Sequence, residues 1–254
     1  MEINFKSYGE GKPVVILHGL LGSLDNWVSI SKSLSENFKI IILDLPDHGK
    51  SSHTSKFSYK RIAEQLHFFF ERNSLKNISI IGHSMGGKVG MKYADLFHEN
   101  IDKLIVVDIT NKEYSSQRFD HIFLAINELK ETKITSRSHA DEISKKFIPN
   151  EAERNFILKN LKRKGDYFGW APNINLLLNS ISSISSEILL KSPIKNEVLF
   201  LKGAKSDYIN NEDIDKLKDS FLNYKINEIP NSGHWVHAEN SKGFINSVES
   251  FLKP

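Results

Sequence analysis

The strongest constraint on this chain is a series of short, nearly all-apolar runs separated by segments of helical periodicity. Residues 14–18 (VVILH), 39–45 (KIIILDL), 77–82 (NISIIG), 103–109 (KLIVVDI) and 197–203 (EVLFLKG) are such runs, and 224–230 (YKINEIP) is a more polar sixth. Continuous aliphatic runs of this length read as strands buried on both faces, the habit of parallel sheets. Between them lie helical patterns at about 25–36, 58–73, 85–97, 211–222 and 241–252; in the second, Ile62, Leu66, Phe69 and Phe70 share one face. Strands that alternate with helices imply an α/β fold, a mostly parallel twisted sheet with helices on both faces and right-handed crossovers. Residues 3–8 (INFKSY) alternate apolar and polar, as an exposed early strand does, and GEGKP turns the chain after them.

The series breaks once. From about 110 to 192 no β-rich run is evident, only helical patterns such as RFDHIFLAINELK and polar stretches such as SISSISSE. Because strand and helix resume after Pro193, this stretch is expected to be an inserted helical cap, 111–192, on a core made of 1–110 and 193–254. A chain of 254 residues buries a sizeable core without staples, and this one has no cysteine, which removes disulfides, thiolate nucleophiles and thiolate metal sites. With 34 basic and 31 acidic residues the net charge is only +3, so nucleic acid is not an expected partner. The one short basic stretch, 159–164 (KNLKRK), reads as a solvated helix face. No run approaches the ~18 apolar residues of a membrane span. The opening MEINFKSYGEGKP has neither the basic nor the apolar part of a secretory leader, so a cytoplasmic monomer or dimer is expected.

The chemistry-bearing residues fall where an open α/β sheet builds its site, at the carboxyl ends of strands. Gly82-His83-Ser84-Met85-Gly86 is a G-x-S-x-G placed between a buried strand and a helix. A serine there sits on a tight, strained turn above the sheet edge, with the helix N-terminus behind it. The overlapping Gly82-x-x-x-x-Gly87-Lys88 also begins like a phosphate-binding loop. The next position is Val89 where that loop needs Ser or Thr to hold magnesium, so Lys88 reads as a surface residue. A serine needs a base, and His234 follows the last strand in NSGHWVHAE; His237, three residues on, is expected to pack nearby. His234-x-x-His237 lacks a third ligand, so no metal and no other cofactor is expected. The base needs a carboxylate. Asp108 ends one strand and Asp207 lies in the loop after another (GAKSD), and the order Ser, Asp, His holds for either. For an oxyanion, the backbone amides of Met85 and Leu20 are expected donors, with Leu21 in reserve on the loop His18-Gly19-Leu20-Leu21-Gly22-Ser23. Leu21, Trp170 and Trp235 are expected to line the substrate pocket, with Tyr167 and Phe168 beside Trp170 as roof or as cap core.

Taken together, HGLLGS at 18–23, DLPDHGKS at 44–51, GHSMGG at 82–87, Asp108, GAKSD at 203–207 and GHWVHAE at 233–239 resemble the α/β-hydrolase superfamily. Within it they resemble the small bacterial esterases related to the mammalian abhydrolase-11 type. The resemblance implies hydrolysis of a small-molecule carboxylic ester or thioester, and within that group it favours Asp108 over Asp207 as the acid. The family usually has Gly-His-Gly where this chain has Asp47-His48-Gly49, a loop read as structural. The same fold also hosts carbon–carbon bond hydrolases and ligand-sensing receptors.

Overall fold

A computed structural model describes residues 2–253 of the chain. The described residues form nine strands: β1 (Phe5–Tyr8), β2 (Pro13–Leu17), β3 (Lys39–Leu43), β4 (Ile78–His83), β5 (Ile101–Val107), β6 (Leu161–Lys164), β7 (Tyr167–Trp170), β8 (Glu197–Gly203) and β9 (Tyr224–Ile229). The helices of the core are α1 (Val28–Leu34), α2 (Tyr59–Arg72) and α3 (Met85–Phe97). Between β5 and β8 come α4 (Asp120–Glu131), α5 (Arg137–Ser144), α6 (Glu151–Leu158), α7 (Ile174–Asn179) and α8 (Ile181–Ser185). The chain closes with α9 (Asn211–Leu217), α10 (Val236–Glu239) and α11 (Ser241–Leu252).

Seven strands form the main sheet in the order β1-β3-β2-β4-β5-β8-β9. Only β1, at one edge, is antiparallel, pairing with β3; every other pairing is parallel. This is the α/β architecture that the run pattern implies, and the strand period of two sorts the side chains. Val14, Ile16, Ile40, Ile42, Ile81, Ile105, Leu199 and Leu201 face one layer, packed with Ile30, Leu34, Phe244 and Val248 of α1 and α11. Their neighbours Val15, Leu17, Ile41, Leu43, Ile80, Val106 and Phe200 face the other, with Leu66 and Phe70 of α2 and Val89 and Tyr93 of α3. Each such side chain taken out of water is worth about 1.5–3 kcal/mol, which is why the apolar runs dominate the fold.

The segment between β5 and β8 departs from the helical expectation in one place. Residues 159–164 do not form a solvated helix face: α6 stops at Leu158, and Leu161–Lys164 pairs antiparallel with Tyr167–Trp170 as a separate two-stranded hairpin. Gly165 turns it at φ 66°, a backbone setting that glycine adopts without a Cβ penalty. Leu161 alone of its strand is buried, against Leu129, Ile134 and Ile143, while Lys162, Arg163 and Lys164 stay in solvent. Among the described residues, no helix is long and apolar enough to cross a membrane.

Candidate active site

Ser84 joins β4 to α3 with φ 52° and ψ −120°, a left-handed setting that a residue with a side chain rarely holds. Close packing enforces it. A Cβ on Gly82 would stand 2.3 Å from the Gly86 carbonyl oxygen, and one on Gly86 would stand 2.3 Å from the Leu17 carbonyl oxygen. The two glycines thus let three backbone segments touch, and the Ser84 amide is held by the Val107 carbonyl at 3.0 Å. The turn leaves Ser84 in a cavity of about 80 Å³ beneath the inserted helices, which it shares with His234. Ser84 and His234 form no hydrogen bond with each other.

The structure separates the two candidate carboxylates. Asp108, fully buried at the end of β5 with φ 51°, accepts 2.8 Å from His234 Nδ1 and 3.0 Å from the Gly203 amide, and the Ser206 hydroxyl donates to the same oxygen as His234. With its Nδ1 proton given to Asp108, the His234 ring presents Nε2 as its acceptor. Asp207 instead points outward, 75% exposed, in a two-pronged ion pair with Arg118 at 2.8 and 3.0 Å. That hydrogen-bonded guanidinium holds its carboxyl below the usual carboxylate range. Asp207 is therefore corrected from candidate partner of His234 to a surface clamp on the inserted segment. Its neighbour Tyr208, which the sequence did not single out, stacks on the His234 imidazole with ring centres 3.7 Å apart, and Arg118 lies over the outer face of that tyrosine.

Beneath His234 lies a layer of buried histidines. His83 donates from Nε2 to the His234 carbonyl at 2.8 Å, and His237 stacks on Trp27 at 4.0 Å. Burial pushes His83 far below its usual value and His237 to about 3, so both are neutral at ordinary pH. Among the described residues, no cluster of three or more His, Cys, Asp or Glu is placed to hold a metal.

The loop after β2 is pinned by two more buried imidazoles. The Leu45 amide donates to His18 Nε2 (2.9 Å), so the His18 Nδ1 proton is free to reach the Gly19 carbonyl. The Leu21 amide donates to His48 Nε2 at 3.2 Å. That bond engages Leu21 and takes it out of reserve as an anion donor. The Leu20 and Met85 amides have no acceptor among the described residues; Met85 opens α3, where amides lack partners inside the helix. Both residues line a second, smaller compartment beside Ser84.

Leu21 and Trp235 line the cavity shared by Ser84 and His234. Trp170 does not. It pairs across the hairpin with Leu161 and packs with Phe168 against the small apolar cluster of the inserted segment, so its place in the substrate pocket is corrected. Tyr167 is largely exposed. The apolar side chains that do cover the cavity are Phe119, Ile122, Phe156 and Ile157, residues that sequence reasoning missed. Helical spacing marks their buried face but not which cavity that face meets.

Lys88 is the other surprise. Rather than lying on the surface it is 2% exposed, with Nζ donating to the carbonyls of Lys112 (2.8 Å), Ser185 (3.0 Å) and Ser186 (2.5 Å). Burial lowers its pKa to about 8. Three hydrogens meet three acceptors, which is what makes a buried ammonium tolerable.

Comparison with known proteins agrees with this fold. The model of a family described as alpha/beta hydrolase fold matches residues 12–241. A putative esterase/lipase of Haemophilus influenzae is 35% identical over 242 residues, covering 94% of this chain and 83% of that protein. The sn-1-specific diacylglycerol lipase ABHD11 of Danio rerio is 32% identical over 259 residues, covering 98% and 81%. A solved structure titled as a marine microorganism esterase superimposes with a TM-score of 0.94 at 37% identity, covering 99% of both chains.

Proposed function

Because the chain belongs to the alpha/beta-hydrolase family, we propose that it is a carboxylesterase-type serine hydrolase working through an acyl-enzyme on Ser84. The observation that carries the reading is the buried His234–Asp108 pair, opening into the same cavity as a serine on a strained strand–helix turn.

His234 Nε2 removes the Ser84 proton as Oγ bonds to the ester carbonyl carbon. The carbonyl electron pair moves onto oxygen, and the free amides of Leu20 and Met85 receive that oxyanion. Asp108 holds the imidazolium by its Nδ1 proton, with Ser206 and the Gly203 amide fixing the carboxylate in turn. The carbon–oxygen bond to the alcohol then breaks; the alcohol oxygen keeps the electron pair and takes the proton from His234 Nε2. Water repeats the sequence against the acyl-serine and releases the acid. Thioesters obey the same steps with sulfur as the leaving atom. Residues 111–192 serve as a cap that shelters the cavity.

The test uses a fluorophosphonate probe and p-nitrophenyl acetate on the purified protein. The wild type is expected to be labelled and to turn over, and Ser84→Ala to lose labelling together with four or more orders of magnitude in kcat, as about 10⁶ was lost in a serine protease. Hydrolysis that survives Ser84→Ala, or binding of esters without turnover in the wild type, would sink the assignment in favour of another mechanism or a receptor.

A further inference from the structure

Two compartments adjoin at Ser84, sharing Leu20, Phe119 and Tyr208 in their walls, and the stereochemistry of the carbonyl carbon assigns each one. In the tetrahedral intermediate the four substituents are Ser84 Oγ, the oxyanion, the leaving oxygen and the acyl chain. The oxyanion points at the Leu20 and Met85 amides, and the leaving oxygen must lie within reach of His234 to receive its proton. The compartment of about 80 Å³ contains His234 and therefore holds the alcohol. The remaining direction leads into the smaller compartment of about 20 Å³, which is lined by Leu20, Tyr59, Met85, Lys88, Ile109, Tyr114 and Ile184 and does not include His234. A space of 10–15 Å³ holds one water-sized group, so this one takes a methyl or ethyl group and little more.

The wall of that compartment is braced from outside the cap. Tyr59 donates its hydroxyl to the Ile184 carbonyl at 2.6 Å, and Lys88 grips the next two carbonyls, those of Ser185 and Ser186. Three consecutive carbonyls of the inserted segment are thus tied to α2 and α3 of the core. Tyr59 and Ile184 are both nearly sealed from solvent, at 7% and 4% exposure. A longer chain would have to break bonds made by buried donors, and such groups are costly to leave unpaired.

We infer that this compartment is the acyl site and that the Tyr59–Lys88 brace restricts the enzyme to esters of two- to three-carbon acids, with the bulk of the substrate on the alcohol side. This rests on the proposed Ser84 chemistry. Tyr59 and Lys88 form part of the wall themselves and also set the room by holding the carbonyls of residues 184–186.

The test measures kcat/KM for p-nitrophenyl acetate, propionate, butyrate and octanoate with the wild type, Tyr59→Phe and Lys88→Met. In the wild type the value is expected to fall by tenfold or more from acetate to octanoate, and in either variant the octanoate-to-acetate ratio is expected to rise at least threefold, chiefly through a lower KM for octanoate. A fall smaller than tenfold in the wild type, or a ratio that moves less than threefold in both variants, overturns the inference. Tyr59→Phe keeps the ring and its packing, so the test stands even if Lys88→Met fails to fold. Absence of Ser84-dependent hydrolysis of every ester would instead strike the underlying reading, and the two failures are told apart by whether acetate is cleaved at all.

Discussion

The neighbouring strands β5 and β8 are each followed by a loop that carries an aspartate, yet the two loops treat their carboxylates in opposite ways. Asp108 is sealed, held by an amide and a hydroxyl, and offers one oxygen to an imidazole. Asp207 is open to water and spends both oxygens on a guanidinium. The lesson is that a strand-end position only nominates a residue. What gives a carboxylate leverage over a base is exclusion of water together with enough donors to keep it charged.

Four measurements would break or sharpen that contrast. The largest effect is expected from Asp108→Asn, which keeps the volume but gives the imidazole the wrong partner; kcat for p-nitrophenyl acetate should fall by about 10⁴, as in the serine protease case. If Asp207→Asn lost as much, the contrast would collapse. The second measurement is a thermal melt against pH, because the buried side of the site rests on neutral histidines. His18 and His237 have folded-state values of about 3 against 6.5 when free, and burial lowers His48 and His83 as well. Below pH 6.5 the unfolded chain therefore binds protons that the folded chain refuses. Stability is fully present above that pH and is lost as pH falls toward 3, by about 1.4 kcal/mol per pH unit for each fully shifted ring. A melting temperature that stays flat from pH 7 to pH 4.5 would contradict the neutral layer.

Third, Ser206→Ala removes one donor from Asp108 without touching His234. A drop of about tenfold in kcat with little change in KM is expected, in keeping with the 10- to 100-fold cost typical of groups that orient a ligand from behind. The smallest effect belongs to Asp207→Asn. An exposed ion pair contributes about 0–1 kcal/mol, so urea unfolding should shift by less than that, and acetate turnover should stay within about threefold.

Much of this architecture is legible in the sequence because burial on both faces forces aliphatic runs, and the sheet is made of such runs. The serine turn is legible for a related reason: glycine at 82 and 86 is demanded by backbone contacts that any side chain would block. The hairpin at 161–170 is not, because three of the four residues in its first strand are charged and solvent-facing, leaving no apolar alternation to read. The choice between Asp108 and Asp207 is legible only through the family resemblance, which favours Asp108; strand-end position does not separate them, since the Gly203 amide and Ser206 hydroxyl that hold one and the Arg118 that occupies the other come from remote stretches of chain. Lys88 shows the same limit. Its helical position suggests a surface, and only the return of residues 112, 185 and 186 over α3 buries it.

One feature of α3 reaches further than its own packing. Ser84 stands immediately before its first turn, and Lys88, one turn along, grips the wall of the neighbouring compartment. Reactivity and tolerance for chain length are thereby geared to a single rigid rod. Widening the room by sliding that rod would drag the attacking oxygen off its mark, so broader taste has to come from reshaping residues 184–186 and not from shifting the helix.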